Sequence, residues 1–492
     1  MTQGLNASPT ESSLQRGLRR LVQMLHGHGR SQQGLVQQCQ HYFSHFAAEQ
    51  AQLQELQLQV QQAQNQLQQA NRKNEAQLIS QAQQIRQQYQ QHEEQLERRR
   101  LQSHEQFVML CRQLLALTEG QSRAETIQRS SRMLGTLQLL IPEEGQVSFV
   151  VQQKYKPFYK AVLALRLLDQ LLDAGLIVDE FILHKLQQKL PYGDENAEDC
   201  PFRNDVQVPL IMAVLLQDLG QQQPQAQQLL AQIPGQTDAW RRFSPFEREQ
   251  FIELSRRGAL DFLQHGMAMA RYRGNSRTER DQYLLAEQQK MQLVTRLIKE
   301  ANEPEKGIGN LLRLPQVYAS AVLPGRARFM YEAMPKVALI LKNGARLGHY
   351  DERMVDQLLI MTGIFPQGFG IVFVPKELHS SDTAKYEFAI VNSLYPPSPE
   401  VPLCRVVTRD LRYRQVGYNC SVSVDHNLYF KPARQKLSVI PPERLQEILK
   451  KLKAGFEPGQ LRHMLPRSWH PTEFFTEPKH QNLWNRLEIV SN

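Results

Sequence analysis

Across residues 46–117 the chain contains neither proline nor glycine and is dominated by Gln, Glu, Ala, Leu and Arg. Residues of that kind lose little side-chain freedom in a helix, and the two helix breakers are missing, so the stretch must be helical. Leu53, Leu56, Val60, Ala63, Leu67 and Ala70 follow at alternating steps of three and four. Asn74 continues the series, the steps to Leu78 and Ala82 are both four, and Ile85, Tyr89, His92 and Leu96 resume the alternation. This is the spacing of a coiled coil with one local unwinding, and Asn74 reads as its register-setting polar residue. As one helix the stretch is a rod of roughly 100 Å. A lone amphipathic helix of that length cannot bury its stripe, so it self-associates or packs back on the chain. The blander reading is a weak heptad in a Gln-rich solvated helix.

The remaining sequence alternates helical and extended patterns. Leu14, Leu18, Leu21, Val22 and Leu25 repeat at helical spacing among Arg16, Arg19 and Arg20. They read as a packing helix, with a membrane-surface helix as the alternative. Residues 118–145 read as a linker with a short helix. Pro157 is expected to open a periodic helix through Leu163, Leu167, Leu168, Leu171 and Leu172 that stops at Gly175. A second helix covers 178–190, and 192–204 is a polar, acidic insertion. Ser244-Pro245-Phe246-Glu247 is a capping box with proline at the first helical position. That helix runs toward His265, and further helices are expected at 283–302, 311–323, 333–343 and 351–362. From Ile364 the period becomes extended, with short strands at 387–392, 404–408, 411–416 and 421–424. A last helix at 442–455 precedes a tail rich in proline and aromatic residues.

One stretch stands apart. Residues 206–220, ending in Leu216-Gln217-Asp218-Leu219-Gly220, are apolar on nearly every face, the mark of a helix inside a helical core. Asp218 falls at its C-terminal end, where the helix dipole disfavours an anion unless a partner offsets it. In this context the stretch resembles the HD phosphohydrolase superfamily, whose central helix carries a His-Asp doublet, with Gln217 standing in place of the His. Further pieces follow in the order of the HD-GYP branch, which hydrolyses cyclic di-GMP. They are Ile233-Pro234-Gly235, the Ser244 helix start, Gly258, residues 350–355 and Phe365-Pro366-Gln367-Gly368. The resemblance covers about half the chain and implies an all-helical HD-like domain.

The metal-binding parts of that family depart from its pattern. The resemblance implies a two- or three-metal site built from His and Asp, which polarises phosphate and generates hydroxide. Gln217 is a neutral amide and a poor ligand for Fe or Mn. Phe158 or Tyr159 falls where the first His belongs, and Leu254 and Ser255 occupy the region of another. Residues 273–281 replace the family's His-His-Glu signature. His184, His265 and His349 match no ligand position and read as surface or capping residues. Asp218 reads as a structural carboxylate, hydrogen-bonded to backbone amides or an arginine, with retained metal binding as the alternative. Arg405 and Arg409 have the spacing of the arginine pair in cyclic di-GMP-binding PilZ domains, without its companion motif. Arg273, Arg277 and Arg280 are candidate phosphate contacts, or a solvated loop face.

A chain of 492 residues has room for about three domains. Its net charge of +9 favours acidic partners. Cys39, Cys111, Cys200, Cys404 and Cys420 are dispersed, odd in number and form no Cys-x-x-Cys pair, which implies a reducing compartment and no zinc site. No apolar run suits a transmembrane helix, and the polar N-terminus has no signal-peptide core, so a cytoplasmic location is expected. The fold class expected is mainly α: an N-terminal helical coiled coil, an all-helical HD-like domain and a small β-rich C-terminal extension. The segments are an amphipathic helical region 1–45, coiled coil 46–118, linker 119–150, degenerate HD-GYP-like domain 151–370, β-rich extension 371–440 and helical tail 441–492. The function expected is a non-catalytic regulatory or scaffold protein in cyclic di-GMP signalling. It forms a homo-oligomer through its coiled coil and has a protein partner, with no catalytic residue, metal or cofactor. The alternatives are an active phosphodiesterase with atypical ligands and a basic nucleic-acid-binding protein; a membrane surface ranks below these.

Overall fold

The computed structural model describes residues 13–28, 33–69, 75–142, 146–233, 236–237, 243–303, 307–325, 329–375, 386–409, 412–414, 416–437 and 466–481. The chain is mainly helical with a small antiparallel sheet in its C-terminal part. The helices in order are α1 (Ser13–His26), α2 (Leu35–Gln68), α3 (Glu75–Thr118), α4 (Arg123–Leu139), α5 (Gln146–Asp173), α6 (Glu180–Leu186) and α7 (Val208–Leu219). After α8 (Pro224–Leu230), strands β1 (Ala231–Ile233) and β2 (Gln236–Thr237) pair antiparallel, with Pro234 and Gly235 of the expected turn outside the described residues. Then come α9 (Pro245–Asp261), α10 (Arg277–Glu300), α11 (Asn310–Val322), α12 (Val337–Arg346) and α13 (Glu352–Thr362). The chain divides into two compact units, one of Met1–Arg20, Leu114–Ile211 and Lys299–Asn492, the other of Leu21–Gln113 and Met212–Ile298. Most of residues 46–118 thus belong to the same unit as 212–298. The apolar stripe of α1 is spent on packing, with Leu18, Leu21 and Leu25 buried.

In the first unit α4, α11 and α13 pack on α5. Helix α5 begins at Gln146, so Pro157 lies inside it and does not open it. An interior proline costs one backbone hydrogen bond and crowds the preceding turn, and burial of Phe158 through Leu165 offsets that cost. Most of the described part of the expected linker, residues 118–142, is the helix α4. Helix α4 is buried along most of its length, but Thr126, Ser130, Ser131, Thr136 and Gln138 share the buried face with Met133, Leu134 and Leu137. Small polar side chains hid its helical period. Ser131 shows how such residues pack: its hydroxyl accepts from the Leu394 backbone amide at 2.9 Å.

Beyond α13 the chain turns at Gly363 and Gly368, both with positive φ, into a four-stranded antiparallel sheet. Its strands lie in the order β3 (Gly370–Phe373), β4 (Glu387–Val391), β5 (Leu403–Val406) and β8 (Asn419–Ser421). Register pairs Gly370 with Ile390, Ala389 with Val406 and Cys404 with Cys420. A hairpin, β6 (Thr408–Arg409) and β7 (Arg412–Tyr413), and helices α14 (Lys431–Leu437), α15 (Thr472–Thr476) and α16 (Pro478–Gln481) complete the described unit. Of the described tail residues, Trp469, Phe474 and Phe475 are part of this core. Trp469 stacks on Phe388 at 5.1 Å between centroids, and its indole donates to the Ala389 carbonyl at 3.1 Å. The helix expected at 442–455 lies outside the described residues.

In the second unit the heptad stripe does not form one rod. Helix α2 ends at Gln68 and α3 starts at Glu75, with Ala70 and Asn74 outside the described residues. The two helices run antiparallel: Gln38 donates to Gln106 at 2.6 Å, and Arg99 pairs with Glu49 at 2.7 Å. The stripe residues from Leu53 to Leu67 and from Leu78 to Leu96 are buried or half-buried. The spacing therefore marks a covered face, and folding back within the chain is the simplest way to cover it. Helix α9 starts as expected: Ser244 Oγ accepts from the Glu247 amide at 3.2 Å, and Glu247 Oε2 accepts from the Ser244 amide at 2.8 Å. Its Gly258 lies against Gly220, which follows α7, and a Cβ on Gly220 would meet the Ser255 carbonyl oxygen at 2.0 Å. Because that neighbour is backbone, the helix itself would have to move. Gly220→Ala is therefore expected to lower stability by about 1–3 kcal/mol or more. Urea denaturation checks this, and an unchanged midpoint would contradict the close approach.

Candidate functional site

The sequence directs attention to the end of α7. Leu210 to Leu216 are buried, whereas Gln217 and Asp218 are half-buried, so the carboxylate is less enclosed than the apolar run implies. The chain continues there as the 3-10 turn Gly220–Gln222, followed by Gln223. Asp218 Oδ1 accepts from Gln221 Nε2 at 3.3 Å. Gln217 Oε1 is buried and accepts no hydrogen bond among the described residues. The Leu219 carbonyl, one of those a helix end leaves open, accepts from Cys39 Sγ at 3.4 Å. Burial, and then the charge of Asp261, push that thiol up, so it stays a neutral donor. Tyr42 Oη donates to Asp261 Oδ2 at 3.0 Å, and burial and Asp261 likewise push its phenol up. This end of α7 is held by the Cys39 thiol and the Gln221 amide, while the Tyr42 phenol ties α2 to Asp261 of α9; the groups named include two carboxylates and no imidazole.

The other positions implied by the family are engaged in packing. Phe158 and Tyr159 are fully buried. Ser255 Oγ donates back to the Phe251 carbonyl at 2.6 Å. His184 and His349 are exposed, and half-buried His265 lies 5.6 Å from the Phe46 ring. Among the described residues no three His, Cys, Asp or Glu side chains group as a metal site, and no helix is long and apolar enough to cross a membrane.

The arginine candidates do not converge. The Arg273 side chain is 90% exposed and lies 3.6 Å from Glu105, Arg280 pairs with its neighbour Asp281 at 3.4 Å, and Arg277 is exposed. These are solvated ion pairs, worth little individually. Arg405 and Arg409 separate completely. Arg405 is buried in β5, where Nε donates to Asn419 Oδ1 at 2.7 Å, and burial pushes its guanidinium down to about 10. Arg409 is exposed on the hairpin, opposite Arg412. The strand breaks between them at Val407, so even spacing does not place both on one face.

Sequence reasoning missed a charged cluster in the first unit. Arg166 is 2% exposed on α5, with Nη2 3.3 Å from Asp169 and 3.9 Å from Glu119. Lys189 reaches Asp169 at 3.6 Å, and Arg203 reaches Glu119 at 3.5 Å. Arg123, at the start of α4, pairs with Asp173. A cavity of about 230 Å³ opens among them, bounded also by Tyr192 and Tyr395. Burial, then the Asp169 charge, push the Tyr395 phenol up to about 12, so it remains a hydrogen-bond donor at neutral pH. The available signal was Arg166 followed by Asp169, an i,i+3 pair on an otherwise apolar helix face.

No family model, curated protein or solved structure matches the chain. The geometry at Asp218 yields a prediction. Asp218→Asn gives up one charge-assisted bond but relieves an anion at a helix C-terminus, so stability should change by no more than about 1 kcal/mol. Thermal melts with and without chelator check it: neither protein should respond. A wild-type melting temperature lowered by chelator, with Asp218→Asn insensitive, would place a metal on this carboxylate.

Proposed function

We propose that the chain is a non-catalytic regulatory or scaffold protein built on a degenerate HD-GYP-like helical core. The observation that carries this reading is the use made of the positions where the resemblance calls for imidazole ligands. Phe158 and Tyr159 are core aromatics, and position 217 holds an amide. Hydrolysis of a phosphodiester by this family's chemistry needs a cation to polarise phosphate and acidify water, and aromatic and amide groups do neither. A residue committed to packing is also not recruited by a small shift of the backbone. In this reading cyclic di-GMP, if it acts, acts as an effector. The antiparallel pair α2–α3 is the coiled-coil element that presents the protein to a signalling partner or a second copy.

Two measurements test the reading. Elemental analysis of the purified full chain should give no stoichiometric Fe or Mn, and cyclic di-GMP should survive incubation with it. About two metal ions per chain, with turnover abolished by Asp218→Ala, would replace the proposal by an active phosphodiesterase. Light scattering of the full chain should give the mass of a dimer or larger assembly. A monomeric mass would leave α2–α3 to a different partner and remove self-association.

A further inference from the structure

The cavity beside Arg166 has a buried guanidinium in its lining. Its volume of about 230 Å³ exceeds that of several water molecules at roughly 30 Å³ each. One wall is the first turns of α4, another the C-terminal half of α5, and loops carrying Lys189 and Tyr395 close it. Arg166, 2% exposed, lines this space, and its Nε and Nη2 make no hydrogen bond among the described residues. Asp169 and Glu119 lie within ion-pair distance of Nη2, yet neither accepts a hydrogen bond from Nε or Nη2. A buried donor left without an acceptor is costly, and a guanidinium presents a planar fork that fits two oxygens of a bound anion.

The surrounding charge has the right sign. Arg123 and Lys189 line the same cavity with Asp169 and Asp173, and Glu119 and Arg203 stand beside Arg166, so the four cations Arg123, Arg166, Lys189 and Arg203 face the three carboxylates Glu119, Asp169 and Asp173. The positive end of the α4 dipole adds to the positive charge. Lys189 is pre-arranged: its ammonium lies 5.4 Å from the Tyr192 ring centroid and 5.0 Å from that of Phe202. Cations on separate elements suit a tetrahedral group with several oxygens better than a planar carboxylate. The volume lies below the range of roughly 300–1,000 Å³ typical of drug-sized ligands, which favours a phosphate-sized anion over a whole dinucleotide.

We propose that this cavity binds a small phosphoryl group, as inorganic phosphate or as the phosphate of a compact phosphomonoester. Arg166 is the buried anchor, and Arg123 and Lys189 clamp the anion from the rim. Phe158, Tyr159 and Gln217, on which the regulatory reading rests, are not among the residues lining this cavity, and the proposal stands whether or not that reading holds.

Calorimetric titration of the full chain with sodium phosphate and with glycerol phosphate, against chloride and acetate at matched ionic strength, tests it. One saturable phosphate site per chain is expected. The side chains of Arg123 and Lys189 are 54% and 28% exposed, so the double variant Arg123→Gln/Lys189→Ala should fold normally. It should lose at least about tenfold in affinity, as expected for removal of charge-assisted bonds. Arg166→Lys, which keeps the charge and loses the fork, should lose a similar factor. Tighter binding of glycerol phosphate than of phosphate supports the ester as the source, and the reverse supports the free anion. Heats no larger than those of chloride or acetate, or an affinity the double variant leaves intact, would overturn the proposal.

Discussion

Burying a positive charge on the long core helix α5 constrains much of what surrounds it. Arg166 is 2% exposed and Lys160 1% exposed on a helix whose other buried residues are almost all apolar. An isolated charge in such a place costs several kcal/mol, so the neighbouring elements must deliver oxygen to it. Lys160 donates to Gln316 of α11 at 2.7 Å. Asp169, one turn along α5, and Glu119, just after α3, stand beside Arg166. Glu119 also meets Arg203 and accepts from Gln207 Nε2 at 2.8 Å, so one carboxylate ties three segments together. Such a network contributes modest net stability, but wrong packing would strand its charges, and this penalises alternative arrangements.

The second unit depends on a different constraint, the close passage of two backbones. Gly220 and Gly258 let α9 lie against the turn after α7 where any side chain would collide with a carbonyl. That contact places the end of α7 beside α2, where Cys39 and Tyr42 supply neutral donors. The half-buried Gln217 and Asp218 belong to this structural joint. The contacts at this helix end form a hydrogen-bonded closure.

Local physical chemistry was legible at many points. The capping box at Ser244 lies where the residue pattern puts it, the helix expected at 351–362 is α13 with Asp351 as its N-cap, and the extended period expected from Ile364 becomes a strand at Gly370. Each depends on residues within a few positions, so intervening tertiary context has little to override. The heptad stripe was equally readable as a covered face. What covers it was not, because a spacing of three and four is satisfied alike by another chain or by the same chain folded back.

The sequence by itself therefore determined the helical and extended periods, the caps, the apolar faces and the absence of a histidine at position 217. Only the tertiary structure decided which faces meet. It made the helix α4, within the stretch 118–145 expected as a linker, part of the core, where Ser131 and Gln138 find partners far along the chain, at Leu394 and Met334, that no local pattern reveals. It brought the tail's Trp469 onto the sheet. It separated Arg405 from Arg409, and it gathered Glu119, Arg166, Lys189 and Arg203 around one buried charge. Periodicity reports how a segment partitions between water and the interior; the choice of partner depends on charge neutralisation and close packing between residues far apart in the chain.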